Sequence, residues 1–145
     1  MKVVLTRVSS ASVMIQKKIV GKINHGLLLL LGIQKNDNEE DVEKLIKKII
    51  TLRIFNDKKG MNKSIQDVEG HALVVSQFTL FADTKKGRRP NFSLAENPDK
   101  AFLLYNKFCN RISEKIPIQQ GVFGKDMQIN STNDGPITII LDTKE

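Results

Sequence analysis

The apolar run GLLLLLGI at positions 26–33 constrains the fold of this chain more than any other segment. It is too short for a typical helix, and it lacks the alternation of polar and apolar residues that marks a strand with one face in water. Strands that are covered on both faces have such continuous apolar sequences. We therefore predict a buried central strand, which the rest of the chain must cover on both sides.

Other segments predict strands that can pair with it. KVVLTRV near the start and HALVV from position 71 are rich in β-branched residues, and the second leads into the polar motif SQFTLFAD. ASVMI and IVGKI flank a polar QKK turn, as in an antiparallel ribbon. MQINST and PITIILD predict two more strands, joined by an NDG turn. The segment NDKKGMNKS is expected to be a loop.

Two segments predict helices. Between Asn38 and Ile54 apolar residues recur at spacings of three and four, and Asp37 or Asn38 can cap the first turn. A second helix is expected to begin at Asn97-Pro98 and to stop at Pro117. The predicted buried positions are Val42, Leu45, Ile46 and Ile49 in the first helix and Ala101, Leu104, Tyr105, Phe108 and Ile112 in the second. Cys109 is expected to pack there as a small apolar residue.

These elements predict one domain over residues 1–145 with a mixed α-β fold. Curved, mostly antiparallel or mixed sheets would form β/β/α layers, with two helices packed on one side. A domain of this size buries about 68–70% of its unfolded surface and needs no disulfides. The single cysteine, the absence of a charged-then-apolar leader and the lack of a run near the ~20 apolar residues of a membrane span predict a soluble protein of the reducing cytoplasm.

The sequence carries little conventional catalytic equipment. His25 and His71 each lie beside glycine, and there is neither a G-x-G-x-x-G sequence after a strand nor a Walker lysine. We expect no metal and no cofactor. Ser76 and Thr79 are candidate nucleophiles, but neither lies in a G-x-S-x-G elbow or near a histidine in sequence. A histidine that folding brings close is an open alternative.

The formal charge of +7 favours an anionic partner. Many lysines lie on predicted outer helix faces, where they need no partner. Lys85, Lys86, Arg88 and Arg89, however, cluster around Gly87 in the sequence KKGRRP. An ordinary exposed loop has the same composition as a phosphate-binding loop. Because this cluster directly follows SQFTLFAD, we predict that it contacts a phosphate backbone.

The ordered blocks of this sequence resemble those of the D-aminoacyl-tRNA deacylases, which remove D-amino acids mischarged onto tRNA. The blocks are VVLTRVSSASV, GLLLLLGI, LRIFND, LVVSQFTLFADTKKGRRPNF, GVFGKDM and NDGPIT. The resemblance implies a homodimer with active sites at the subunit interface, where SQFTL of one chain meets the Gly-Pro segment of the other. It implies a cis bond at Gly135-Pro136, held by Arg7, and a chiral filter that includes Asn133.

The resemblance also suggests roles at the site. We assign oxyanion stabilisation to the amides around Phe78 and Thr79, and we expect Ser76 and Gln77 to shape the pocket. Met127 resembles a family position that lines the pocket of the terminal adenosine, and the KKGRRP cations would contact tRNA. In the family the 2′-hydroxyl of that adenosine helps to activate water, so the role of the Thr79 hydroxyl stays open.

The expected reaction is hydrolysis of the ester bond of D-aminoacyl-tRNA. An aminoacyl ester is already activated, so catalysis needs mainly a positioned water and a stabilised oxyanion. Mirror-image substrates carry the same groups, so the L form must be rejected by collision with fixed atoms. Glycyl-tRNA, which has no side chain to collide, is then also expected to be cleaved. The alternatives are a non-catalytic basic nucleic-acid-binding module and a proofreading domain that works attached to a synthetase.

Overall fold

The computed structural model describes residues 1–145 as eight strands, two α-helices and a short 3-10 helix at Phe78–Phe81. The strands are β1 (Lys2–Ile15), β2 (Lys18–Ile23), β3 (Gly26–Gly32), β4 (Phe55–Asp57), β5 (Gly60–Lys63), β6 (His71–Ser76), β7 (Ile118–Gln120) and β8 (Gln128–Asp142). The helices are α1 (Glu39–Thr51) and α2 (Pro98–Ser113). Neither helix has the length and apolar character needed to span a bilayer.

The apolar run forms β3, which is the predicted central strand. It pairs antiparallel with β1 and parallel with β6, so that Leu29 lies between Leu5 and Val74. Every residue of β3 except Leu30 is buried. A parallel pair needs a long crossover, and α1 with the small β4–β5 hairpin forms it. The prediction of a strand covered on both faces is confirmed.

Strand β1 is long enough to organise the whole sheet. Its first half pairs with β3 and its second half with β2, while β8 runs along its other edge over almost the full length. The sheet curls until β2 approaches β7, where a Cβ atom at Gly21 would lie 2.8 Å from the Gln120 carbonyl oxygen. Only glycine permits so close an approach. The curled sheet thereby forms two β layers.

Both helices pack against one face of this sheet. The larger core contains 23 buried residues and joins α1 and α2 to β1, β3 and β6. A second core of 7 buried residues, among them Val13, Leu28 and Leu73, fills the opposite face. The predicted mixed α-β fold, with β/β/α layers, a curved and mostly antiparallel or mixed sheet and two helices on one side, is confirmed.

The helices start where the sequence predicts. Asn38 and Asp41 form a capping box at the start of α1, in which the Asp41 carboxylate accepts from the Asn38 amide at 3.0 Å. Asn97 caps α2, and Pro98 is its first residue. The apolar stripes of both helices are buried as predicted. Cys109 lies in the α2 stripe, and burial raises the pKa of its thiol to about 12, so this cysteine is a packing residue.

Three predictions about element boundaries were wrong. The segment NDKKGMNKS contributes to the β4–β5 hairpin and is not simply a loop. MQINST and PITIILD belong to the single strand β8, so NDG is not a turn between two strands. Helix α1 ends at Thr51 because Leu52 is extended, and α2 ends at Ser113, four residues before Pro117. Strand β7 was not predicted, because three residues give no periodic signal.

Candidate active site

A cleft of about 470 Å³ opens beside the carboxyl ends of β3 and β6. The sheet, the 3-10 helix, the start of α2 and the loop after Gly121 all contribute to its walls. The residues that line the cleft are Leu31, Ile33, Val75, Ser76, Gln77, Phe78, Glu96, Pro98, Ala101, Phe123, Gly124, Lys125, Asp126, Met127 and Ile129. Of the residues that the sequence predicts for the site, the cleft brings together Ser76, Gln77, Phe78 and Met127.

The SQFTLF segment is held against β3 by main-chain contacts. The Gln77 amide donates to the Leu31 carbonyl at 2.8 Å, and the 3-10 helix follows directly. A Cβ atom at Gly32 would lie 2.9 Å from the Phe81 ring and 3.0 Å from the Gln77 carbonyl oxygen. The glycine that ends β3 therefore lets the 3-10 helix pack directly on the strand.

Two main-chain donors lie at the start of the 3-10 helix. The amides of Phe78 and Thr79 form none of the main-chain hydrogen bonds that link turns, loops and caps, whereas the Leu80 amide donates to the Gln77 carbonyl at 3.3 Å. The first donors of a helical turn have no partner within the turn. Phe78 itself is 58% exposed and lines the cleft. The N–H groups of Phe78 and its neighbour Thr79 are therefore the candidate donors for an oxyanion at this side of the cleft.

The Thr79 side chain has no base beside it. Its hydroxyl accepts a hydrogen bond from the Gln77 side-chain amide, and Thr79 does not line the cleft. His71 is the first residue of β6 and lies about 16 Å along the strand from Ser76. His25 lies at that same far end, since its carbonyl accepts from the His71 amide at 3.2 Å. Folding therefore brings neither histidine to Ser76 or Thr79, and the alternative of a histidine-activated hydroxyl is not supported.

Glu96 is a cleft residue that sequence reasoning missed. Its side chain is 7% exposed, and it accepts from the Lys100 ammonium and from the Asn97 amide, both at 2.9 Å. These hydrogen bonds, that from Lys100 above all, hold the pKa of Glu96 below its ordinary value. An ionised carboxylate accepts protons poorly and donates none at neutral pH. Glu96 therefore fixes the start of α2. The one feature of the sequence that could have indicated this role is its position just before the Asn97-Pro98 cap.

Phe123 and Lys125 are further cleft residues that received no role from the sequence. Phe123 packs against Phe102 and Tyr105 of α2, with ring centroids 5.3 Å and 5.5 Å apart. Both residues belong to the block GVFGKDM, in which only Met127 was predicted to line the site.

No three side chains of histidine, cysteine, aspartate or glutamate are grouped closely enough to hold a metal ion.

Arg7 makes two contacts with the NDGPIT segment and a third with the body of the protein. Residues 134–137 of β8 bulge out opposite Arg7, because Thr6 pairs with Thr138 while Val8 already pairs with Asn133. The buried Arg7 guanidinium donates to the Ile54 carbonyl at 2.6 Å and to the Asp134 carbonyl at 3.2 Å. Its Nε atom also lies 3.1 Å from the Asp134 carboxylate. Arg7 therefore clamps the bulge to the body of the protein.

The bulge carries the expected peptide geometry. The Gly135-Pro136 bond is cis, as the family resemblance implies, and Gly135 has a φ of 124°. The Asn133 carboxamide oxygen accepts from the Ser131 hydroxyl at 2.9 Å. Gly135 and Pro136 are exposed. None of Arg7, Asn133, Gly135 and Pro136 lines the cleft of its own chain.

The KKGRRP cluster lies in a closed loop next to the cleft. Asp83 and Asn91 pair through two main-chain hydrogen bonds of 2.7 Å and 2.9 Å, which tie the two ends of the loop together. Phe92 follows Asn91 and packs edge-on against Phe78, with ring centroids 5.1 Å apart. All residues from 83 to 91 are exposed. The four predicted cations are thus presented to solvent on a loop that is anchored at the cleft.

Comparison with known proteins places these features in the class of hydrolases that act on the ester bond of aminoacyl-tRNA. Residues 4–142 match the model of the family described as D-Tyr-tRNA(Tyr) deacylase. The chain belongs to this family, as its sequence blocks predict. It is therefore an enzyme of the D-aminoacyl-tRNA deacylase type.

Two solved structures resemble the chain over nearly its whole length. One, described as c-Myc DNA unwinding element binding protein, is 38% identical and superposes with a TM-score of 0.93, covering 99% of each chain. The other, described as a probable eukaryotic D-amino acid tRNA deacylase, is 16% identical with a TM-score of 0.82, covering 97% of each chain. At 16% sequence identity, the similarity to the second structure shows a shared fold and nothing about function.

Proposed function

We propose that the main-chain amides of Phe78 and Thr79 stabilise the oxyanion that forms when water attacks the ester of a D-aminoacyl-tRNA. The observation that carries this proposal is that these two amides form no turn or loop hydrogen bond, while the next amide, that of Leu80, is paired with the Gln77 carbonyl. Donors already fixed at the position of the developing charge lower the barrier without reorganisation. Ser76 and Gln77 shape the wall beside them, and Met127 contacts the terminal adenosine.

We propose further that chiral selection needs a second copy of the chain. The Gly135-Pro136 bulge is exposed and lies outside the cleft of its own chain. In a homodimer it completes the partner's cleft, where its carbonyls collide with the side chain of an L-amino acid. Arg7 holds the bulge in place, and Asn133, which directly precedes the bulge, belongs to the filter. Glycine has no such side chain, so glycyl-tRNA is a substrate as well.

The remaining parts of the proposal concern the setting of the reaction. Lys85, Lys86, Arg88 and Arg89 contact tRNA phosphates, supported by their exposure and by the anchoring of their loop at Phe78. The buried, weakly acidic Cys109 thiol fits a reducing cytoplasm. We place the enzyme there, acting on tRNA that is already charged.

A direct assay tests the proposal. Purified protein is incubated with D-tyrosyl-, L-tyrosyl- and glycyl-tRNA, and loss of the ester is followed against a buffer control. We expect D-tyrosyl- and glycyl-tRNA to be cleaved and L-tyrosyl-tRNA to survive. Equal rates for the two tyrosyl enantiomers would refute the chiral filter, and no rate above buffer would refute the activity. Sedimentation at assay concentration must show a dimer, since an active monomer contradicts a site completed by the partner.

A second candidate function, in addition to hydrolysis, is binding of DNA. It is supported by the net charge of +7 and by the solved structure, 38% identical, whose description is a DNA unwinding element binding protein. This function predicts duplex DNA binding that weakens steeply with salt and that is lost when Lys85, Lys86, Arg88 and Arg89 become glutamine. Duplex binding weaker than that of uncharged tRNA would argue against it.

A further inference from the structure

A second cavity of about 480 Å³ adjoins the cleft and has no role so far. It lies between the turn that joins β1 to β2 and the start of β8, and we call it the hairpin groove. Its lining residues are Met14, Ile15, Gln16, Lys17, Lys125, Asp126, Met127 and Gln128. Lys125, Asp126 and Met127 line both the groove and the cleft. A ligand that lies in the cleft against Met127 therefore has the groove as its next neighbour.

The lining of the groove combines cations with an apolar wall. Lys17 and Lys125 are exposed and carry the positive charge, while Met14, Ile15 and Met127 supply apolar surface. Asp126 is the one acid in the lining. Grooves that bind single-stranded nucleic acid pair cations for the backbone with apolar surface for the bases. A volume of this size is within the range of small-molecule sites.

The backbone of the turn is an independent sign of a functional site. Gln16 and Lys17 both adopt positive φ angles, of 48° and 66°. Two-residue hairpin turns of this type favour asparagine and glycine, which tolerate such angles. Residues with larger side chains at these positions carry a conformational cost, and such costs are concentrated at functional sites. Here the turn presents a lysine to the groove where glycine would fit the backbone better.

We infer that the hairpin groove binds the nucleotide that precedes the terminal adenosine of tRNA. This rests on the proposed function, in which Met127 contacts that adenosine. The phosphate between the two nucleosides is held by Lys17 and Lys125, and the base lies against the methionine wall. The penultimate base of tRNA is cytosine, whose exocyclic amine donates, and Asp126 is the acceptor for it. The groove thus reads a base that every substrate shares and fixes the register of the 3′ end.

Binding of small probes by NMR titration tests this inference. Adenosine, the dinucleotide CpA and the dinucleotide UpA are titrated into the intact protein. We expect CpA to bind about fivefold or more tighter than adenosine, since it adds one phosphate and one base. Lys17→Glu should remove this gain while adenosine affinity stays the same. Asp126→Asn should abolish the preference for CpA over UpA.

The hairpin offers matched controls. Lys22 is an exposed lysine on the same hairpin that lines neither cavity, so Lys22→Glu should keep the gain. Lys17→Gly removes the cation but suits a φ of 66°, which separates loss of charge from damage to the turn. If CpA and adenosine bind with equal affinity, the proposed role of the groove is wrong. It is also wrong if Lys17→Glu and Lys22→Glu weaken CpA binding equally.

Hydrolysis of D-tyrosyl-tRNA distinguishes a failure of the groove proposal from a failure of the proposed function. If the parent protein hydrolyses this substrate and the dinucleotides show no gain, only the groove is wrong. If there is no hydrolysis and adenosine does not bind, the proposed function fails and the groove fails with it. In the expected case, Lys17→Glu raises KM for the charged tRNA about fivefold and leaves kcat unchanged, because it affects binding in the ground and transition states alike.

Discussion

At the scale of single residues, the proposed active site depends on atoms that no side-chain substitution removes. The amides of Phe78 and Thr79 belong to the backbone, and the Thr79 hydroxyl already accepts a hydrogen bond from the Gln77 side chain. A site of this kind has few residues whose loss abolishes activity. It also explains why a search of the sequence for a nucleophile and its base finds none.

Thr79 provides the first prediction. Thr79→Val removes the hydroxyl but keeps the β-branched shape and the main-chain amide. If the amide carries the chemistry, kcat for D-tyrosyl-tRNA should fall by no more than about threefold. Removal of a true nucleophile would cost at least about 10³-fold. Single-turnover rates of the valine variant, with Thr79→Ser as the variant that keeps a hydroxyl, distinguish the two mechanisms.

Arg7 provides the second prediction. Its guanidinium reaches both the Ile54 and the Asp134 carbonyls, a geometry that a lysine ammonium cannot reproduce. Arg7→Lys should lower the free energy of unfolding by about 2–4 kcal/mol, since it leaves buried acceptors unpaired. It should also lower the ratio of D- to L-tyrosyl-tRNA hydrolysis, because the bulge is no longer fixed.

Asp134→Asn is the control for Arg7. The Asp134 side chain is 46% exposed, and its main-chain carbonyl contact with Arg7 survives the substitution. We expect a loss of stability of no more than about 1 kcal/mol and an unchanged D to L ratio. If both variants alter the ratio equally, the clamp on the main chain is not what sets selectivity.

At the scale of secondary structure, the position of the 3-10 helix in the proposed active site depends on one glycine of β3. Gly32→Ala would place a methyl group 2.9 Å from the Phe81 ring and 3.0 Å from the Gln77 carbonyl, so the helix must move. A displacement of about 1 Å at a catalytic group costs up to about 10²-fold in rate. We therefore expect a kcat at least tenfold lower, with a loss of about 1–3 kcal/mol in stability from overpacking.

Gly21→Ala is the matched control for this prediction. It creates an equally close contact, 2.8 Å from the Gln120 carbonyl, but on β2 and away from the 3-10 helix. It should destabilise the fold by a similar amount and leave kcat unchanged. Urea unfolding and initial rates, measured on both variants, separate a local shift of the site from a general loss of stability. A fall in kcat for both would contradict the role given to Gly32.

The elements that their own sequence pattern indicates could be predicted. The features that depend on contacts between residues far apart in the sequence could not. The apolar run of β3 and the stripes of α1 and α2 report burial directly. The sequence NDG has turn chemistry, but it lies within β8 because Arg7 of β1 holds the bulge in the sheet. In the cleft, Ser76 and Met127 lie in recognisable motifs, whereas Glu96 enters through the packing of α2. Its role is visible only once the helix is docked.

At the scale of the whole molecule, a polar cluster joins the residues after β8 to the start of α1. The Thr143 hydroxyl donates to the Asp41 carboxylate at 2.6 Å, and the Lys144 ammonium donates to it at 2.9 Å. The Asn38 amide donates to the same carboxylate at 3.0 Å. The end of β8 is thereby tied to the start of the helix. Since β8 also carries the Gly135-Pro136 bulge, this cluster helps to hold the strand that forms the proposed chiral filter.

The cluster predicts how stability changes with acid. Burial of Asp41 opposes ionisation, but the hydrogen bonds from Thr143, Lys144 and Asn38 together lower its pKa to about 2. A carboxylate whose pKa is depressed in the folded state contributes stability above its unfolded pKa of about 4, and loses it as the pH falls to 2. Asp41→Asn should therefore remove on the order of 1–2 kcal/mol of stability at pH 7 and flatten the dependence between pH 4 and 2. Glu40→Gln, an exposed neighbour on the same helix that forms no ion pair, should retain the parent's acid dependence. Urea unfolding followed by circular dichroism from pH 2 to 7 gives the free energy of unfolding at each pH. If the plot of this free energy against pH for Asp41→Asn runs parallel to that of the parent throughout this range, the cluster does not control acid stability.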